Sequence, residues 1–179
     1  MKKKIACFVA ALFILSTTVI ASAAVYSGTG SQTANVSVQN IYATFNNTWA
    51  SPILAGIISW NSSSSDVTVS MSSSSANTIQ AINDDHPWKI WWGRNDIVAD
   101  GSTGYIISFS IKLNIDRLAG ASCPDFSGYV QSVTAHELGH AFWLADNPPN
   151  TASLMNQNRD RSVIKTPQAY DYANVNAIY

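Results

Sequence analysis

His136-Glu137-Leu138-Gly139-His140-Ala141-Phe142-Trp143-Leu144-Ala145-Asp146 is the stretch around which the rest of the chain can be read. Its first part lies in a segment with helical character, from about Gly128 to Leu144. Histidines at i and i+4 of a helix lie one turn apart on one face, so both imidazoles can reach a single tetrahedral zinc ion. Glu137 shares that face, placed to take a proton from a water activated by the metal. Composition sharpens the point. The chain has three histidines, two of them here, and its only glutamate is Glu137. In a sequence so poor in both types, this spacing points to a metal site and not to the polar face of a surface helix.

A catalytic zinc takes three protein ligands and keeps one position for water. A glutamate as third ligand is excluded, because no second one exists. His86, Asp146, Asp160 and Asp171 remain. If the helix ran straight, Asp146 would stand about 15 Å along the axis from His136, at 1.5 Å per residue. The chain must therefore turn between Ala141 and Ala145 for Asp146 to serve. Trp143 lies in that interval, and Asn147-Pro148-Pro149 stops a helix only after the aspartate.

Outward from the motif, the chain has 179 residues, 46% hydrophobic and 12% charged, with a net charge of -1. That suits one domain with a real core, and it argues against a disordered or coiled-coil protein and against phosphate-gripping nucleic-acid binding. Residues 1–23 read as a secretory signal peptide. Lys2, Lys3 and Lys4 precede an apolar run from Ile5 to Leu15, and Ala21-Ser22-Ala23 is a small-x-small cleavage signal. Eleven apolar residues fall short of the roughly 20 that span a bilayer. Cleavage leaves seven basic against eleven acidic residues, and the mature protein is expected to be secreted, extracellular and free of membrane. With Cys7 in the leader, Cys123 has no cysteine to pair with and reads as a buried small hydrophobe.

Residues 24–50 form a Ser/Thr/Asn-rich segment in which Val36-Ser37-Val38 alternates as a first strand. The domain proper is expected over 51–179. It opens on a helix from Ser51 to Trp60, with Ser51 as cap, Pro52 at the first helical position, and Leu54, Ile57 and Ile58 on one face. Asp66 to Met71 alternates as a strand, and Ile107 to Ile115 is the clearest strand, its odd positions apolar and its even ones polar. Asp96 to Gly104 reads as a turn or irregular loop. Thr166-Pro167 supplies a cap for a C-terminal helix carrying Tyr172, Val175, Ile178 and Tyr179. Strands mixed with helices, then helices alone, give an α+β class in a single domain.

The eleven residues from His136 to Asp146 resemble the extended H-E-x-x-H-x-x-G-x-x-H/D motif of the metzincin metallopeptidases, in a small secreted, matrixin-like form. Ser153-Leu154-Met155 resembles the family's Met-turn, and the Thr166-Pro167 helix resembles its C-terminal helix. The resemblance implies a zincin-like domain, a small twisted mixed sheet packed on an N-terminal helix and an active-site helix, with a C-terminal helix. It implies zinc held by His136, His140 and Asp146, with Glu137 as general base. The implied activity is that of a monomeric, zinc-dependent endopeptidase acting on protein or peptide substrates, the peptide lying antiparallel along an exposed edge at Ile107 to Ile115. Structural calcium or a second zinc, which such domains often carry, would draw on Asp84-Asp85-His86 or on Asp96 with Asp100. Trp143 stands where the family has glycine. If it spoils the turn, the alternative is an inactive zincin scaffold serving as a binding or surface-interaction protein. A carbohydrate-binding module built on Trp88, Trp91 and Trp92 is a further rival, one that has no use for the histidine pair.

Overall fold

The computed structural model describes residues 26–40, 47–62, 64–83, 90–120, 123–147 and 151–179. The leader segment and Asp84-Asp85-His86 lie outside them. Among these described residues five strands and four helices follow in the order β1 (Asn35–Asn40), α1 (Asn47–Ile58), β2 (Thr68–Met71), β3 (Thr78–Ile82), β4 (Gly93–Ala99), β5 (Ile106–Asn114), α2 (Ile115–Leu118), α3 (Phe126–Ala141) and α4 (Ala169–Asn176). The strands form one mixed sheet in the order β2-β1-β3-β5-β4. The pairs β1·β2, β1·β3 and β3·β5 are parallel, and only β4 runs antiparallel, to β5. β1, from the Ser/Thr/Asn-rich segment, is an interior strand of this sheet.

Alternation builds the core. Val36, Val38, Ile79, Ala81, Phe109, Ile111 and Leu113 are buried, each separated from the next in its strand by a less buried residue, so the sheet has one apolar face. α1 and α3 pack on each other, and each also packs on the sheet. The stripe α1 buries is Trp49, Ile53 and Ile57, at helical spacing, continued by Trp60 just past the helix end. Leu54 and Ile58 are exposed instead. The reason is the start of the helix: it begins a turn earlier than Ser51, at Asn47, and takes Pro52 inside its body. The indole N–H of Trp60 donates to the Ala135 carbonyl of α3 at 2.8 Å, which pins the end of α1 to the middle of the motif helix.

Three further expectations are corrected, two by strand pairing and one by local capping. Asp96 to Ala99 belongs to β4, not to a loop, and only 100–105 turns between β4 and β5. The C-terminal helix starts at Ala169, capped by Gln168 and Asp171, not by Thr166 and Pro167. β5 is no edge, since β3 and β4 hold its two sides; the edge strand on this side of the sheet is β4. Alternation reports which face of a strand is buried. It says nothing of which strand lies beside it.

Candidate metal centre

α3 carries His136, Glu137 and His140 on its last two turns. Asp125 caps its start, its Oδ1 accepting from the Gly128 N–H at 2.9 Å. The helix ends at Ala141, three residues sooner than the hydrophobic pattern suggests. There the Leu144 N–H bonds back to the Gly139 carbonyl at 3.2 Å, the closing bond of a Schellman turn. Such a turn needs a left-handed residue, usually glycine, at the position Trp143 occupies. Trp143 takes it, with φ of 67°, the one non-glycine residue at positive φ among the described residues.

A bulky residue in that conformation costs about 1–2 kcal/mol, and the surroundings offset it. The indole N–H donates to the Ser31 carbonyl at 2.9 Å. The backbone of 26–31 runs along the turn, with Ser27 N–H to Trp143 O at 2.6 Å and Ser31 N–H to Ala141 O at 2.7 Å. The indole lies so close over Gly30 that a Cβ there would collide with it. Gly30→Ala should therefore loosen the turn and weaken metal binding together, whereas Trp143→Gly should keep the metal while losing roughly 3 kcal/mol of stability with the packed indole. Metal content and thermal unfolding of both variants check this. Loss of the metal in Trp143→Gly alone would overturn it.

The turn returns Asp146 to the histidines. Its Oδ1 lies 3.3 Å from His136 Nε2 and 3.8 Å from His140 Nε2, and one donor atom from each of the three falls within 4.8 Å of the others. Ligands at about 2.0–2.1 Å from a tetrahedral zinc stand about 3.4 Å apart, so the spacing fits one ion. Each imidazole is oriented from behind: His136 Nδ1 faces the Leu154 carbonyl at 2.9 Å and His140 Nδ1 the Leu144 carbonyl at 2.8 Å. A carbonyl can only accept, so Nδ1 carries the proton in both rings and both Nε2 lone pairs point inward. The Arg159 guanidinium also approaches His136 Nδ1, at 3.2 Å, but has the Asn156 carbonyl as acceptor at 3.1 Å. Burial pushes the His136 pKa down to about 4, so that ring is neutral near pH 7. Asp146 Oδ1 is buried and accepts no hydrogen bond, while Gln157 Nε2 donates to Oδ2 at 2.5 Å. Two lone pairs aimed at an unsatisfied carboxylate oxygen repel one another unless a cation sits between them. The donor set fits a divalent transition ion.

Behind the ligands, Ser153-Leu154-Met155 is held from below by Asp171. That buried carboxylate accepts from Ser153 Oγ at 2.5 Å, from the Leu154 N–H at 2.7 Å and from the Gln168 N–H at 2.8 Å. Asp171 thus fixes the carbonyl that orients His136, and it is not drawn toward the metal group. Met155 is fully buried, its sulfur against Gly139 of the motif. Asp160 is exposed and caps its own turn at Ser162. Asp96 pairs with Arg94 and Lys112, and Asp100 closes the β4–β5 turn through Ser102 and Thr103. Among the described residues His136, His140 and Asp146 are the only metal-type cluster. Sequence reasoning missed Arg159, whose buried guanidinium bonds Ser132 Oγ at 3.0 Å and the Ser132 and Asn156 carbonyls at 3.1 Å each, tying the segment after Met155 to α3. An arginine at that position looks like any surface cation in a linear reading. Cys123 is partly exposed, at the rim of a small groove with Trp49 and Phe126, not wholly buried as expected.

Glu137 is 5% exposed and opens into a cleft of about 880 Å³ that also borders His136, His140, Asp146, the 90–95 segment, Gln157 to Arg159 and Arg161. Burial raises its carboxyl to about 8, with Arg159 opposing. Its Oε1 comes within 3.1 Å of where a Cβ on Gly93 would stand, and the Asn95 side-chain amide donates to the Glu137 carbonyl at 3.0 Å. The start of edge strand β4 is therefore laid directly alongside the motif.

No family model matches the sequence, and no curated protein matches it. Solved structures do. The backbone resembles that of high choriolytic enzyme 1, a hatching enzyme zinc-protease from Oryzias latipes (medaka fish), with a TM-score of 0.50 and 10% identity over 87% of this chain and 94% of that one. It resembles the GM1-bound form of the ECX AB5 holotoxin, also at 0.50, with 15% identity over 80% of this chain and 78% of that one. An archaemetzincin from Archaeoglobus fulgidus follows at 0.45, with 15% identity over 78% and 99% of the two chains. The fold is zincin-like, with a five-stranded mixed sheet and four helices among the described residues.

Proposed function

We propose that this chain is an exported zinc endopeptidase of the metzincin, matrixin-like type, hydrolysing protein or peptide substrates. One observation carries this: the Asp146 oxygen and two inward imidazole nitrogens converge beside a buried glutamate, at the mouth of an open cleft. His136, His140 and Asp146 are the residues to hold the ion. Bound there, zinc would supply a Lewis acid that polarises a peptide carbonyl and acidifies water. Glu137, beside the ligands and not among them, takes the proton of the attacking water and passes it to the leaving amine. β4 offers the extended edge on which a substrate backbone adds as a further strand, the role first expected of β5. Export rests on the leader-like residues 1–23. No helix of the described residues is long and apolar enough to cross a membrane.

What favours an active enzyme over an inert scaffold is the completed turn at Trp143, which brings Asp146 back to the histidines. Casein hydrolysis by the purified mature protein is expected, abolished by a chelator and restored by stoichiometric zinc. A protein that binds zinc tightly at these residues yet cleaves neither casein nor a mixed peptide library would leave the scaffold reading standing.

A further inference from the structure

The cleft has a second chemistry beyond its metal group. All four arginines of the chain, Arg94, Arg117, Arg159 and Arg161, line it, although acidic residues outnumber basic ones overall. Two of the four are committed: Arg94 pairs with Asp96, and Arg159 is buried in its bonds to Ser132 and Asn156. Arg117 and Arg161 are not. Their guanidiniums lie 4.3 Å and 5.6 Å from the Trp92 ring centroid. Each donates to one backbone carbonyl, Arg117 to Ile90 at 2.7 Å and Arg161 to Gln157 at 3.0 Å. Neither forms an ion pair with a carboxylate among the described residues, although Glu137 attracts Arg161 from across the cleft, and the Nε of Arg161 is buried without an acceptor.

Position gives this pair its meaning. Trp92 packs edge-on against Tyr129 at 5.0 Å between ring centroids. Tyr129, Val133 and Glu137 succeed one another at i, i+4 and i+8 on α3, so they share a face. The Trp92 platform and its two cations thus lie on the Glu137 side of the metal group, next to Gly93 at the start of the edge strand. A peptide added to β4 carries its side chains past them. Two partly desolvated guanidiniums fixed on an aromatic face make a planar, donor-rich seat whose complement is a carboxylate.

We infer that Arg117 and Arg161 on Trp92 form a subsite for an acidic side chain, Asp or Glu, of the peptide substrate, within about two residues of the bond cleaved. This rests on the peptidase reading, so the decisive measurement is binding. Two decapeptides identical except for a central Glu or Gln are titrated calorimetrically into zinc-loaded Glu137→Gln protein. The Glu peptide should bind about tenfold more tightly, a preference that shrinks with salt. In Arg161→Gln and Arg117→Gln, each made in that background and checked for folding by circular dichroism, the ratio should fall toward one, and Arg161→Lys should keep part of it. Either glutamine variant that folds is sufficient for the decision. Equal affinity for the two peptides in the parent overturns the subsite, as does a preference that survives in the folded glutamine variants. An intact Glu preference in binding, with no cleavage of either peptide by the zinc-loaded wild type, would uphold the subsite and sink the peptidase reading.

Discussion

His136→Ala and His140→Ala are each expected to abolish stoichiometric zinc and peptidase activity, with Asp146→Ala losing zinc affinity nearly as severely. Three donors within 4.8 Å of one another leave no spare ligand, and removing any one leaves a two-point site that cannot hold a catalytic zinc. Asp160→Ala and His86→Ala are the controls. Asp160 is exposed and occupied with its own turn at Ser162, and both variants should retain the metal. Metal analysis of the five purified proteins after dialysis decides the ligand set. Wild-type zinc in Asp146→Ala would move the third ligand elsewhere.

Glu137→Gln should bind zinc as wild type does and lose at least about a hundredfold in turnover, the usual scale for a missing general base. It also has a signature independent of activity. In the metal-free protein, burial raises the Glu137 carboxyl from 4.5 to about 8, so between those values the folded state binds more protons than the unfolded one. Stability must then fall as pH rises through that window, because the linkage slope follows the proton difference. The glutamine variant lacks this component. Melting of the chelated proteins at pH 5 and pH 8 should show the variant gaining on wild type at the higher pH. A pH-independent difference between the two would mean that Glu137 is not the buried carboxylate described, and near wild-type turnover with full zinc would remove it as the base.

The convergence of the two histidines was legible because a helix converts spacing into direction: residues at i and i+4 share a face whatever surrounds them. Phe109, Ile111 and Leu113 were legible for the parallel reason in a strand, and they are the buried residues of β5. The failures have different causes. Ile107, in the same apolar series, is 66% exposed; it lies toward the β4–β5 turn, at a register shift where Val98 pairs with Ser108 and Ala99 with Ile106, and β3 pairs only with Ser110 to Asn114. The membership of Asp96 to Ala99 in β4 turned on its pairing with β5, whereas α4 is capped locally by Gln168 and Asp171 and α1 begins a turn earlier than Ser51, at Asn47.

By itself, then, the sequence determined the α+β class, the motif helix and the chemical types able to bind a metal, since these follow from local periodicity and composition. Tertiary structure alone decided that β4, not β5, is an edge, that Asp171 braces the Ser153 turn while Asp146 returns to the histidines, and that the arginines gather in one cleft. It also decided the place of Trp143. A tryptophan at a left-handed position looks like a defect along the chain. Gly30 leaves room for its ring and Ser31 accepts its N–H, so the cost of the strained backbone is met by residues more than a hundred positions away, which no local pattern can register.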